Sequence, residues 1–169
     1  MTIEDDIAFL ERIPIFRRLG SGALRIVAIG AESYSVQAGQ ALFTVGEAAD
    51  GGYVVQRGSF SLSTERGNEA DIIAGPGTLL GETALIAETK RPATARARED
   101  SIVLRISRSM FLRMLEGFPD AAQRLRDLFA SRTDQWAREI ENAPEYDPKV
   151  ALTAERMRDY LKNVARIER

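Results

Sequence analysis

The sequence predicts an α+β fold in which antiparallel strands, closed as a sandwich, roll or barrel, lie between short N-terminal helices and a long C-terminal helix. Three observations carry this. Apolar residues recur at helical spacing before Glu32 and again after Ser107, and in between the period drops to two. The middle segment is cut at short intervals by glycine and Asx, at Gly39, Gly46, Asp50-Gly51-Gly52, Gly58, Gly67-Asn68 and Gly75-Pro76-Gly77. Such residues permit the tight corners that join short antiparallel strands. A length of 169 residues suits one domain with its own core plus a helix or two.

The elements follow in order. Thr2 caps a first helix, with Asp5 three positions on as a variant capping box, and Ile3, Ile7, Leu10 and, less cleanly, Phe9 give it an apolar stripe. Ile13-Pro14-Ile15-Phe16 breaks it. Gly20-Ser21-Gly22 then precedes a second stripe of Leu24, Ile26, Val27 and Ile29. Strands are expected at Glu32–Val36, Ala41–Val45, Tyr53–Arg57, Ser59–Thr64, Asp71–Ala74, Ala93–Ala97 and Ile102–Ser107. The fourth shows the pattern most plainly, with Phe60, Leu62 and Thr64 alternating against Ser59, Ser61 and Ser63.

Ser107 caps a helix to about Glu116, which Gly117-Phe118-Pro119 ends. Asp120 is expected to cap the long helix, to about Asn142, with a stripe of Ala121, Leu125, Leu128, Phe129, Trp136 and Ile140. Asn142 to Pro148 is a breaker, Asp147 and Pro148 suit the N-cap and first position of a last helix, and Met157, Tyr160, Leu161 and Val164 line one face of it. The division is thus residues 1–142 and a linker with a C-terminal helix at 143–169.

Composition excludes several functions. With no cysteine and no histidine there is no disulfide framework, thiolate nucleophile, Ser-His-Asp triad or Cys/His zinc site. No grouping of the remaining carboxylates, lysines and hydroxyls suggests a catalytic centre, so neither an enzyme nor a metal site is expected. A net charge of −2 gives no basis for binding nucleic acid. No apolar run approaches the roughly 20 residues of a membrane span, and the acidic Met1–Asp6 start is unlike a secretory signal. A cytoplasmic location is the expectation.

The run from Gly81 to Thr94 concentrates the candidate chemistry. Gly81 allows a turn after which a short helix begins near Thr83, and its first amides point outward as anion donors. Glu82 is able to accept from a sugar hydroxyl. Arg91, nine positions later, offers a fixed charge with a planar fork suited to a phosphodiester. The run Gly-Glu-x-Ala-Leu-(x)5-Arg-x-Ala-Thr resembles the phosphate-binding cassette of cyclic-nucleotide-binding domains. The likeness extends to Ile13-Pro14-Ile15-Phe16 with Leu19 and Leu24, to Gly46–Asp50 followed by Tyr53-Val54-Val55 and Gly58, and to Phe111, Leu115 and Pro119. It covers about residues 8–140.

That resemblance implies an antiparallel β-roll (a double-stranded β-helix, jelly-roll-like), a ligand that is cyclic AMP or cyclic GMP, and no prosthetic group. The implied ligand-binding residues are Gly81, Glu82, Thr83, Ala84, Leu85, Arg91, Pro92 and Ala93. Trp136, on the long helix that dimerises in catabolite-activator-like members, either caps the purine or is interface or core. Two positions depart from the pattern. Thr83 stands where an apolar residue is usual, and Pro92 replaces a residue whose amide, and sometimes hydroxyl, meets the phosphate. Loss of that donor costs about 1.5–3 kcal/mol, one to two decades of affinity, while proline biases Arg91 toward an extended backbone. The missing hydroxyl tilts the expectation toward cyclic AMP.

Only 27 of the 169 residues follow Asn142, too few for the helix-turn-helix that follows the long helix in those members. The reading is a regulatory module, a homodimer through the long helix, whose output is contact with an unidentified protein, without nucleic acid or membrane. The alternative is an interaction module that kept the roll and lost its ligand, with Pro92 as the motive.

Overall fold

The computed structural model describes residues 2–63, 72–128 and 130. The chain divides into two compact units, Met1–Gly117 and Phe118–Arg169. Three helices open the first: α1 (Ile3–Leu10), α2 (Pro14–Arg17) and α3 (Ser21–Gly30). Ten strands follow: β1 (Glu32–Val36), β2 (Ala41–Phe43), β3 (Ala48–Ala49), β4 (Gly51–Arg57), β5 (Phe60–Ser63), β6 (Ile72–Ala74), β7 (Leu79–Leu80), β8 (Thr89–Lys90), β9 (Thr94–Ala97) and β10 (Ser101–Ser107). A 3-10 turn at Thr83–Leu85 separates β7 from β8, and α4 (Arg108–Gly117) closes the unit.

The strand pairing has a simple rule. β5 pairs with β6, β4 with β7, β3 with β8, β2 with β9 and β1 with β10, all antiparallel. One long ribbon, nested about the β5–β6 connection, is folded so that it forms two four-stranded sheets, β1-β10-β4-β7 and β2-β9-β5-β6, and a small β3-β8 pair. Lateral pairing of β10 with β4 and of β5 with β9 joins the folded ribbon to itself. This is the jelly roll the sequence pointed to.

The inner faces meet in a core of Val36, Phe43, Val55, Phe60, Ala74, Leu80, Ala95, Ala97 and Val103, with Leu42, Tyr53 and Leu62 packed against it. Phe60 is fully buried and Leu62 packs behind it, as the alternation in β5 required. At one end α2 and α4 meet through the edge-to-face rings of Phe16 and Phe111, 6.4 Å apart.

The helix caps follow the chemistry of their sequences. The Thr2 side chain accepts from the Asp5 amide and Asp5 accepts from the Thr2 amide, a complete capping box. Ser107 Oγ accepts the amide of Met110 at the start of α4.

Several expectations need correction. The segment around Pro14 is itself a short helix, because proline at the first helical position gives up no bond. In α3 the buried face is Ala23, Leu24, Val27 and Ala28, while Ile26 and Ile29 are 42% and 60% exposed. Small residues at helical spacing fit there, and the size of the isoleucines misdirected the expectation. In the second unit residues 119–128 are helical, and the amide of Ala122 bonds to the Phe118 carbonyl. Phe118 is therefore the cap residue, Pro119 the first helical position, and Asp120 lies inside.

Within that helix Ala121, Ala122 and Leu125 are buried and Leu128 is half-buried. Strand ends differ by a residue or two. The pairs β3–β8 and β4–β7 draw in Ala48–Ala49, Leu79–Leu80 and Thr89–Lys90, which are too short to show a period. Thr64, Asp71, the rest of the long helix with Phe129, Trp136 and Ile140, the boundary at 142 and the 143–169 segment lie outside the described residues.

Core and surface positions should separate cleanly in urea unfolding. Phe60→Ala is expected to cost about 3–5 kcal/mol, whereas Ile29→Ser, on the exposed face of α3, is expected to stay within about 0.5 kcal/mol.

Candidate functional site

β7 runs alongside β4 and delivers the chain to Gly81, where φ is +85°. A side chain there is opposed twice, by the backbone angle and by space: a Cβ would overlap Nη1 of Arg91 and approach the Gly51 carbonyl at 3.2 Å. Glu82 follows, half-buried, in the cap position of the 3-10 turn. The amides of Ala84, Leu85 and Ile86 close back on the carbonyls of Gly81, Glu82 and Thr83 at 3.1–3.2 Å. Those amides are consumed inside the turn, and the amide of Thr83 lies ahead of the closed bonds.

Ala84 and Leu85 are fully buried. Their side chains anchor the turn in the core. The carbonyl end of the same turn is held by Arg108, the first residue of α4. Its Nη1 donates to the carbonyls of Ala49 at 2.9 Å, Ala87 at 3.1 Å and Ala84 at 3.4 Å, and its amide donates to Asp50 at 2.7 Å. One guanidinium thus ties the turn, β3 and α4 together. Sequence reasoning missed it. The available signal was a cation in the first turn of a helix, where the macrodipole disfavours it unless carbonyls elsewhere compensate.

Across the site, β3 and β8 pair, and beyond them the Arg91 amide donates to Glu47 at 2.8 Å while its carbonyl accepts from Gly46 at 2.9 Å. The backbone of Arg91 is therefore fixed on both sides. Its side chain turns inward and is 5% exposed. Nη1 has no hydrogen-bond partner among the described residues, and the guanidinium carbon lies 4.4 Å from the ring centroid of Phe43 and 5.4 Å from that of Tyr53. Burial pulls its pKa below the ordinary arginine value, opposed by the nearby carboxylates of Asp50 and Glu47. An arginine stays charged despite such a shift.

Pro92 is exposed and Ala93 half-buried. Next to them Thr94 Oγ1 accepts the Val45 amide at 2.9 Å, so the chain leaving the arginine is tied to the end of β2. The fold thus brings Gly81, Glu82, Thr83 and Arg91 to one end of the roll. Trp136 lies outside the described residues. Among the described residues no group of three acidic side chains is placed to hold a metal, and no helix is long and apolar enough to cross a membrane.

The arginine tie predicts a stability effect separable from any ligand. Arg108→Met removes charged hydrogen bonds to the turn and is expected to lower the unfolding free energy by about 1.5–3 kcal/mol in urea. Arg108→Lys should recover only part, since an ammonium lacks the planar fork.

Comparison with known proteins adds the family. The profile described as "Cyclic nucleotide-binding domain" matches residues 34–118. An uncharacterized NTE family protein of Mycobacterium tuberculosis is 34% identical over 110 residues, which are 65% of this chain and 19% of that protein, so the chain spans about a fifth of the relative's length. A solved cyclic nucleotide-binding-like protein from Brucella abortus matches with a TM-score of 0.59 at 42% identity, covering 66% of this chain and 98% of that one. The N-terminal domain of a transcriptional regulator from Streptomyces coelicolor matches with a TM-score of 0.70 at 25% identity, covering 82% of this chain and 97% of that one. The matched profile runs from within β1 through α4, the same strands that carry Gly81 and Arg91, and the chain belongs to the cyclic nucleotide-binding domain family.

Proposed function

We propose that this chain is a regulatory module that binds cyclic AMP in preference to cyclic GMP and passes the signal on by protein contact. The observation that carries the reading is the state of Arg91. A buried cation with an orphaned Nη1 beside Gly81 is a costly arrangement unless an anion completes it. A cyclic phosphodiester supplies one negative charge and two free oxygens, which suit the guanidinium fork. In this reading Glu82 accepts from the ribose hydroxyl, and the amide of Thr83 adds a donor to the phosphate. Ala84, Leu85, Pro92 and Ala93 shape the wall, and Trp136 covers the purine.

The preference for cyclic AMP rests on Pro92, which offers no hydroxyl to the ligand. Output by protein contact is supported by where relatives keep the domain: within a much longer chain in the mycobacterial protein and at the N-terminus of a regulator in Streptomyces. In this chain the helix that begins at 119 is the proposed dimer element, in a cytoplasmic protein.

A second reading has its own observation. Pro92 also withholds an amide from the phosphate, and a roll without that donor fits an interaction module that has lost its ligand.

Calorimetric titration of the purified chain with cyclic AMP and cyclic GMP decides between them. Heat with cyclic AMP, weaker heat with cyclic GMP, and a loss of at least tenfold in Arg91→Ala with its circular dichroism unchanged are the expected results. Absence of heat and of thermal shift with both nucleotides would favour the second reading. Gly81→Ala, which drives a methyl into the arginine, should abolish the same heat.

A further inference from the structure

We propose that Phe43 and Tyr53 form an aromatic platform that positions Arg91 for its anion, which makes the two rings determinants of ligand affinity; the proposal rests on the cyclic-nucleotide reading of the same site. The rings are stacked, with centroids 6.0 Å apart and planes at 28°. Arg91 lies over both. Among the described residues its guanidinium makes no ion pair, and the nearby Asp50 carboxylate is engaged with Arg105 at 2.6 Å.

The chemistry of that choice of partner matters. A carboxylate would neutralise Arg91 and occupy the N–H donors that an incoming phosphate needs. Aromatic faces attract a cation through their quadrupole and take up no donor at all. The platform offsets part of the burial cost and leaves the fork open toward Gly81.

Both rings are firmly held. Phe43 is part of the roll core, and β2 carries it opposite Ala95 of β9. Tyr53 is paired on both sides of β4, with Leu80 immediately before the cassette and with Arg105 of β10. Arg105, the cross-strand partner of Tyr53, is itself placed by Asp50 and reaches Glu32 at 3.9 Å. The ring is therefore set from the strand that delivers Gly81 and from the opposite strand together. Tyr53 and Phe43 are positioning residues, acting through Arg91.

The test is a double-mutant cycle on the full chain, Tyr53→Leu and Arg91→Met singly and together, with Tyr53→Phe as the ring-retaining control. In calorimetry with cyclic AMP, Tyr53→Leu is expected to weaken binding by about 5–30-fold and Tyr53→Phe by less than about threefold. In the Arg91→Met background the same leucine substitution should change residual affinity by less than about twofold. Equal affinity of Tyr53→Leu and the parent, or the same loss with and without Arg91, overturns the platform. Thermal unfolding of the same four proteins without nucleotide gives a readout that survives failure of the ligand reading. There Tyr53→Leu should lower Tm by about 2–4 °C more when Arg91 is present than when it is methionine. Additive shifts refute the platform even if the parent binds no nucleotide, whereas coupled shifts with no heat from either nucleotide support the platform and refute the ligand assignment.

Discussion

A single buried positive charge organises this end of the molecule. Removing a guanidinium from water is costly, and the structure compensates that of Arg91 only in part, with two ring faces. What surrounds it follows from that. Gly81 is required because any larger residue would occupy the space of Nη1, and the aromatic pair stands in for a carboxylate, since none among the described residues forms an ion pair with Arg91. In the proposed reading this unmet donor is held ready for an anion before one arrives, which lowers the cost of binding.

The roll supplies the rigidity this needs. Arg91 and Gly81 are ten residues apart in sequence, yet their relative position is fixed by different partners: β4 for the strand before Gly81, and residues 46–49 for the strand before Arg91. Arg108 closes the remaining gap by gripping the carbonyl end of the turn from the start of α4. A displacement of the turn therefore has a direct mechanical route to a helix, through one side chain and two hydrogen bonds.

Much of the fold was readable from sequence, and the reasons differ by element. The alternation around Phe60 and the caps at Thr2 and Ser107 rest on local physics, and all three reappear in the structure. The spacing of Glu82 and Arg91 was readable because glycine, small residues and one arginine form an uncommon string. Phe43, Tyr53 and Arg108 were not readable as parts of the site. An aromatic residue in a strand looks like core, and an arginine at a helix start looks like surface; their roles come from chains brought close by pairing across β2, β4 and α4. The error over Ile26 and Ile29 has the opposite origin, since bulk was weighed above helical angle.

The nested pairing has a kinetic side. The end of β5 and the start of β6 stand nine positions apart, from Ser63 to Ile72, whereas the partners β1 and β10 stand 65 apart, from Val36 to Ser101. Closed from an open chain, the outer pair costs about 2 kcal/mol more in loop entropy than the inner one, by the logarithm of that ratio. Closed in sequence from the β5–β6 hairpin outward, each pair inherits ends already brought together, and no step has to search over a long loop. The cassette belongs to the middle of that series, between β7 and β8. Along that route it takes shape after the inner hairpin and before the outer strands seal the roll, neither the seed of the fold nor its last addition.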